Sequence, residues 1–136
     1  MKLQPATIND AELLVDVRTP DSARTKVTVE GTREWIQKDD PNRLLFIAKQ
    51  YGKSIGTVRS DFKNGKYELS YALLPQFWGK GLGSAMVSNF VNKYLQDKPL
   101  RCIIKKGNVA SEKIAEQYQL TPTQEESDGY VVWENV

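Results

Sequence analysis

The chain has 136 residues, 26% of them charged, and a net charge of +2, which excludes the strongly basic surface of a nucleic-acid-binding protein. It has no histidine and a single cysteine, which excludes Ser-His-Asp and Cys-His catalysis, histidine-ligated zinc and an internal disulfide. The length suits one domain over residues 1–136, and the single Cys102 fits a reducing cytoplasm. No apolar run reaches membrane-spanning length, so we expect no membrane partner, and we likewise expect no metal and no nucleic acid.

The first third of the chain predicts a strand followed by two helices. The elements, in order, are a strand at 2–7, a helix from Asn9 or Asp10 to Arg18, a loop at 19–25, and a helix at 29–38 with Thr28 as its N-cap. Three strands follow at 44–48, 55–62 and 67–74. Asn64-Gly65 is a strong hairpin signal, so these strands form an antiparallel meander.

A glycine-rich stretch follows the meander. Residues 73–84 read Leu-Leu-Pro-Gln-Phe-Trp-Gly-Lys-Gly-Leu-Gly-Ser, and the apolar residues after them recur at helical spacing. A strand therefore leads through glycines into a helix N-terminus. Glycine allows the backbone to approach a ligand closely. The unpaired N–H groups of a first helical turn bind phosphate, and Lys80 and Ser84 add a charge and a hydroxyl.

The remaining residues complete a mixed sheet. We predict a helix at 81–97, a strand at 101–105 parallel to the strand before the glycines, a helix at 108–119 with Asn108 as its cap, and a hairpin of 121–126 and 130–134 around Asp128-Gly129. The order is β-α-α-β-β-β-α-β-α-β-β, an α/β (α+β) fold with a mostly antiparallel sheet.

This order and the glycine stretch resemble the GNAT superfamily of acetyl-CoA-dependent N-acetyltransferases. Leu73-Leu74-Pro75 and Trp78-Gly79-Lys80-Gly81-Leu82-Gly83 are similar to the loop that binds the CoA pyrophosphate in that family. Trp78 replaces the usual Arg or Gln, as in the branch that acetylates ribosomal-protein N-termini and some amino-sugars. Asn108 to Ser111 resembles a second family motif, with Ala115 at its tyrosine position and Gln119-Leu120 in place of Gly-Phe.

The resemblance implies an acetyl-CoA site and divides it between two regions. Pantetheine is expected to hydrogen-bond the exposed backbone of the fourth strand and to meet Asn108 near Ser111, while the glycine loop takes the pyrophosphate. The residues implied in cofactor binding are Ala72, Leu73, Leu74, Trp78, Gly79, Lys80, Gly81, Leu82, Gly83, Ser84, Asn108 and Ser111. A plain helix cap is the alternative role for Asn108, and packing under the loop is the alternative for Trp78.

Acetyl transfer to an amine also needs a base, because an amine with a pKa of about 10 is protonated at neutral pH. Glu68 on the fourth strand is the first choice and Asp61 the second, with a water chain as the alternative to a carboxylate base. The alternative for Glu68 is a solvated strand residue or a salt bridge with Arg59 or Lys66, and the alternative for Asp61 is a residue at the end of the hairpin. Tyr118 is the choice to protonate the thiolate, with core packing as its alternative. Cys102, in an apolar strand, is expected to be structural.

The expected acceptor is a primary amine on a small molecule, such as an amino-sugar, or on a peptide N-terminus. The polar residues considered for its pocket are Arg18, Arg24, Arg59, Asp61, Tyr71 and Tyr130. Direct attack in a ternary complex is expected, from a monomer or homodimer. The alternatives are a non-catalytic acyl-CoA-binding module and a mononucleotide-binding α/β protein. The second is disfavoured because doubly wound folds place the glycine loop after their first strand.

Overall fold

The computed structural model describes residues 1–17, 28–38 and 40–135. In this part of the chain the predicted order of elements is confirmed. The elements are β1 (Lys2–Pro5), α1 (Ala11–Asp16), α2 (Val29–Gln37), β2 (Arg43–Gln50), β3 (Lys53–Lys63), β4 (Lys66–Leu73), α3 (Leu82–Tyr94), β5 (Leu100–Lys105), α4 (Val109–Gln117), β6 (Thr121–Ser127) and β7 (Tyr130–Glu134). The predicted loop at 19–25, with Arg18 and Arg24, lies outside the described residues.

The described strands form a single sheet in the order β1-β2-β3-β4-β5-β7-β6. Neighbouring strands are antiparallel except β4 and β5, which are parallel because α3 carries the chain across between them. Asn64 and Gly65 both have positive φ, as the tight turn between β3 and β4 requires. Asp128 and Gly129 do the same between β6 and β7.

The middle of the sheet is split. β4 and β5 pair only at Tyr67 with Leu100 and at Glu68 with Arg101. Beyond that point β4 stays paired to β3 as far as Leu73, and β5 stays paired to β7 as far as Lys105. The two halves of the sheet therefore diverge, and each presents an open backbone edge to the gap between them.

Helices cover both faces of this sheet. On one face α3 buries Met86, Val87 and Phe90, and Phe46 of β2 meets the Phe90 ring at 5.8 Å between centroids. On the other face α2 places the Trp35 ring 3.9 Å from the Arg43 guanidinium. None of the helices in the described ranges has the length and apolar character of a membrane span.

The start of the first helix differs from the prediction. Thr7, rather than Asn9 or Asp10, provides the side-chain cap. Its hydroxyl accepts from the Asn9 N–H at 3.3 Å, and its own N–H donates to Asp10 at 2.8 Å. This reciprocal pair closes a 3-10 turn at Ile8–Asp10, which α1 then continues. The predicted caps at Thr28 and Asn108 are confirmed.

Candidate active site

A cavity of about 1000 Å³ fills the gap between β4 and β5. Its walls come from β4, the glycine loop, β5 and the first turns of α3 and α4, and it extends to Val17 at the end of α1 and Tyr130 at the start of β7. It therefore passes from the face covered by α3 and α4 to the face covered by α1 and α2. Such a passage lets two reactants meet from opposite sides of the sheet.

Hydrogen bonding across β3 and β4 decides which backbone groups of β4 face the cavity. The Leu74 N–H donates to the Ile55 carbonyl at 2.9 Å, and an antiparallel ladder alternates from there. Ala72 therefore bonds to Thr57 of β3, while Tyr71 and Leu73 point their backbone groups to the open edge. This is at odds with the expectation that Ala72 and Leu74 offer free backbone. The Leu73 N–H does lie on the open edge.

Trp78 completes this wall. Its indole N–H donates to the Leu73 carbonyl at 2.9 Å, while 54% of the residue stays exposed. The ring borders the cavity and so is not packed under the loop. The hydrogen bond holds the wall in place and leaves the ring face available to a ligand.

The glycines of the loop differ in backbone conformation. Gly79 and Gly81 have φ of +74° and +75°, and a Cβ at either would meet nothing within 4 Å. Left-handed backbone that borders open space favours glycine for its conformation. Gly83 is helical, and its Cβ would lie 3.5 Å from the Leu73 Cδ1 and 3.7 Å from the Ile114 Cδ1. Existing crowding of the backbone is thus not the reason for glycine at these positions.

The first turn of α3 forms the end of the cavity. The Ala85 N–H donates to the Gly81 carbonyl at 3.2 Å and closes the first helical turn. The N–H groups of residues 81–84 therefore have no partner within the helix, and they lie at its positive end. The Ser84 hydroxyl donates to the Gln117 side chain at 3.1 Å, which ties α3 to α4. This is the geometry of an anion site.

Of the residues implied in cofactor binding, Leu74 and Lys80 are the two that do not border the cavity. The backbone of Leu74 is fully used, because its carbonyl also accepts from the Phe77 N–H at 2.9 Å. Lys80 is part of the loop, and it is exposed. The other ten residues lie together around one cavity.

The start of α4 faces the glycine loop across the cavity. The Asn108 side-chain oxygen accepts from the Ser111 N–H at 3.2 Å, so Asn108 is a helix cap, and both residues border the cavity. Ala115, one turn on, is buried and has no group that could donate a proton.

Glu68 does not border the cavity. Its side chain is 13% exposed and lies 3.7 Å from Arg101 and 3.8 Å from Lys63, not against Arg59 or Lys66. It shares a sheet face with Ser70, which does border the cavity. Asp61 is farther away and pairs with Arg59 at 2.7 Å. Of the acceptor residues named from sequence that are described, Tyr71 and Tyr130 line the cavity.

Tyr118 also lies outside the cavity lining. It follows the last turn of α4, and its hydroxyl hydrogen-bonds Ser88 of α3; burial raises the pKa of its phenol despite that bond. This position counts against Tyr118 as the group that protonates a thiolate. Cys102 is buried as expected, and burial raises the pKa of its thiol to about 12. A thiol held protonated in this way is a poor nucleophile.

The sequence reasoning missed one wall of the cavity. Ile103, Lys105, Lys106 and Gly107 line it from β5 and the turn after it. Lys106 lies 2.6 Å from Glu126, so it is ion-paired as well as close to the cavity. The signal that could have identified this wall was the prediction that β4 and β5 are parallel neighbours. When two neighbouring strands diverge, the edge of β5 is exposed as much as the edge of β4. In the described ranges no cluster of three or more Cys, Asp or Glu side chains is placed to hold a metal.

Known structures share this architecture. The structure of a ribosomal-protein-alanine N-acetyltransferase from Brucella melitensis aligns with a TM-score of 0.81 at 16% identity, covering 100% of this chain and 99% of that one. The yncA structure from Salmonella typhimurium, which contains its cofactor acetyl-CoA, aligns with a TM-score of 0.76 at 16% identity, covering 99% and 92%. A spermidine N-acetyltransferase from Vibrio cholerae, SpeG, aligns with a TM-score of 0.79 at 12% identity, covering 100% and 95%. At these identities they establish the fold.

A sequence match establishes the family. No curated protein matches the chain by sequence. The model of the acetyltransferase (GNAT) domain, however, matches residues 1–121, which include β4, the glycine loop and both helix N-termini that border the cavity. The chain therefore belongs to the GNAT acetyltransferase family, the acyl-CoA-dependent N-acetyltransferases.

Proposed function

We propose that this protein transfers the acetyl group of acetyl-CoA to a primary amine on a small molecule or a peptide N-terminus, by direct attack in a ternary complex. The observation that carries the proposal is the split between β4 and β5, which ends at the glycine loop and the α3 N-terminus. It offers a hydrogen-bonding strand edge, an anion site and a second opening in one continuous space.

The residues of the split fit acetyl-CoA. The loop N–H groups at 79–84 suit a pyrophosphate, because Gly79 and Gly81 leave open space in front of the backbone. The N–H groups of Tyr71 and Leu73, and the amide nitrogen of Asn108, suit the amides of a pantetheine arm. When bound, acetyl-CoA supplies an acyl group on a thioester, which an amine attacks readily.

The amine must reach the thioester without its extra proton. Glu68 is the base in this proposal, and it acts through water because its carboxylate does not border the cavity. Ser70 lies two residues farther along the same face of β4 and does border it, so a water held by its hydroxyl links the two. Arg101 and Lys63 flank Glu68 and keep the carboxylate in place.

A covalent acetyl-enzyme is not part of the proposal. The chain has no histidine to activate a nucleophile. Its single thiol, Cys102, is buried with its pKa raised to about 12. Direct attack is therefore the route that the available groups support.

The proposed acceptors are primary amines. The Brucella melitensis structure is of a ribosomal-protein-alanine N-acetyltransferase and the Vibrio cholerae structure is of a spermidine N-acetyltransferase. Alanine-terminated peptides and polyamines are therefore the first acceptors to screen, followed by amino-sugars.

A second function is favoured by two observations: Ala115 stands where the family has tyrosine, and Glu68 is held between two cations. Both fit a module that binds acyl-CoA without turning it over. Two assays separate the functions. Thermal shifts with acetyl-CoA, CoA, ATP and FMN test the site, and release of CoA thiol with the amine panel tests the reaction. Stabilisation by both CoA ligands with CoA release supports the enzyme. Stabilisation with no release from any amine supports the module, and no stabilisation at millimolar acetyl-CoA contradicts both.

A further inference from the structure

Tyr71 is a phenol on the cavity wall that the proposed chemistry has not yet used. It lies in β4 on the face covered by α3 and α4, and it borders the cavity beside Ala72 and Leu73. We propose that the Tyr71 hydroxyl is the hydrogen-bond donor to the sulfur of CoA as the thiolate leaves. This inference rests on the proposed function. Tyr71 on β4 would supply the donor that the family has on α4, where this chain has Ala115.

The position of the side chain supports this role. The Tyr71 hydroxyl reaches across from β4 to the first turn of α4, where it donates to the Ser111 carbonyl at 3.4 Å. Ser111 also borders the cavity. The Tyr71 N–H faces the open edge of β4, so one residue offers both a backbone and a side-chain donor to the same space.

The hydrogen of the phenol is available. A bond of 3.4 Å is well beyond the usual O–H···O distance of about 2.8 Å, so the Ser111 carbonyl holds it weakly. Burial raises the pKa of Tyr71 to about 12, although a hydrogen bond with the Ser111 side chain, separate from the contact with its carbonyl, lowers it in part. Tyr71 is therefore protonated throughout the neutral range and remains a donor.

The chemistry balances with this donor. The amine nitrogen forms a bond to the acetyl carbon, the carbon–sulfur bond breaks, and its electron pair passes to sulfur. The Tyr71 O–H stabilises that charge by hydrogen bonding. The amine loses one proton through the base to solvent, and the sulfur gains one from solvent after release, so the products are an amide and CoA thiol.

The test compares CoA with acetyl-CoA, because CoA alone can carry a thiolate. Affinities of both are measured by titration calorimetry at about pH 7 and about pH 9.5, on either side of an ordinary thiol pKa of about 8.5. Wild type, Tyr71→Phe and Tyr118→Phe are compared, the last as the matched control. The titratable neighbours of Tyr71 are Cys102 and Tyr118. Their pKa values are also raised, to about 12 for Cys102, so neither titrates between these conditions. The acetyl-CoA measurements remove any effect of pH that both ligands share.

A charge-assisted hydrogen bond to the thiolate gives a clear expectation. For each protein, the ratio of CoA affinity to acetyl-CoA affinity is compared between the two pH values. This ratio should rise with pH about tenfold more in wild type and Tyr118→Phe than in Tyr71→Phe. An equal gain in all three proteins overturns the inference while leaving the proposed function intact. Failure of wild type to bind either ligand overturns the proposed function, and this inference with it.

A second measurement needs no variant, in case Tyr71→Phe does not fold. In a crystal structure of the wild-type protein with CoA, the Tyr71 hydroxyl should lie about 3.5 Å or less from the CoA sulfur. A hydroxyl that stays on the Ser111 carbonyl, with the sulfur more than about 5 Å away, contradicts the role.

Discussion

Gly83→Asp should weaken binding of the CoA diphosphate without lowering the stability of the fold. Gly83 is the second residue of α3. A side chain there would meet Leu73 and Ile114 at 3.5 and 3.7 Å, which are ordinary contact distances. The added Cβ therefore fits without a clash. The substitution also places a carboxylate in the helix turn whose N–H groups are assigned to the pyrophosphate.

The magnitudes follow from the position. Replacing a helical glycine gains up to about 1 kcal/mol, and a negative charge in the first turn gains about 0.3–1 kcal/mol from the helix dipole. The folded protein should therefore be as stable as wild type or slightly more so. A carboxylate about 6 Å from one phosphate charge, at an effective dielectric constant of about 20, costs about 3 kcal/mol. That is roughly 100-fold in affinity.

Titration calorimetry with acetyl-CoA and a thermal melt without ligand measure the two effects. Gly83→Asn is the matched control, because it has the shape of the aspartate without its charge. We expect the Asp variant to melt no lower than the Asn variant and to bind acetyl-CoA about 100-fold more weakly. If the two variants bind within threefold of each other, the charged end of acetyl-CoA does not lie at this helix, and the assignment of the loop is wrong.

Three further predictions concern the base, the sheet and the buried thiol. Glu68→Gln should lower kcat by about 10²-fold or more with little change in the acetyl-CoA affinity; an unchanged kcat excludes Glu68 as the base. Gly56→Ala should lower the free energy of unfolding by about 1–3 kcal/mol, because a Cβ there lies 2.3 Å from the Ala72 carbonyl oxygen. A loss below about 0.5 kcal/mol in urea unfolding contradicts that crowding. Burial raises the pKa of Cys102 from 9.0 to about 12, so the thiol ionises at lower pH in the unfolded chain than in the folded protein. The free energy of unfolding should therefore fall as pH rises above about 9, by up to about 1.4 kcal/mol per pH unit. Urea unfolding at several pH values should show a shallower fall in Cys102→Ala, and an unchanged slope contradicts this effect.

Local signals in the sequence were enough to predict the order of elements. Asn64-Gly65 and Asp128-Gly129 both form turns with positive φ, and Asn108 caps the helix that follows it. These features depend on residues close together in the chain, so the sequence shows them directly. Thr7 was missed as a cap because Asn9 and Asp10, two good cap residues, follow it closely.

The site was harder to predict because its chemistry depends on distant partners. The sheet face on which a β4 side chain lies follows from the alternation of residues along the strand. Which backbone groups are free depends on which β4 residues hydrogen-bond to β3, and the bond from Leu74 to Ile55 shows this. The sequence favours Glu68 as the base, but Arg101, 33 residues later in the chain, lies 3.7 Å from its carboxylate. Spacing along α4 could not show that the hydroxyl of Tyr118 bonds to α3 instead of facing the cavity.

Tyr71 is a second case in which the contacts of a side chain could not be predicted from the sequence. It was identified from sequence as a polar residue of the acceptor pocket, and it does line the cavity. Its contact with Ser111, 40 residues away, places its hydroxyl on the α4 side instead. A pairwise contact of this kind follows from the splayed sheet as a whole and has no local sequence signal.

In the proposed function, acetyl-CoA lies along the open edge of β4 with its diphosphate at the α3 N-terminus. Amide hydrogen exchange, resolved by residue with and without saturating acetyl-CoA, tests this directly. We expect added protection at the N–H groups of Tyr71 and Leu73 and at residues 79–84, with little change at Ala72 and Leu74, whose N–H groups face β3. Protection confined to other parts of the chain, or no change at saturating ligand, would contradict the account.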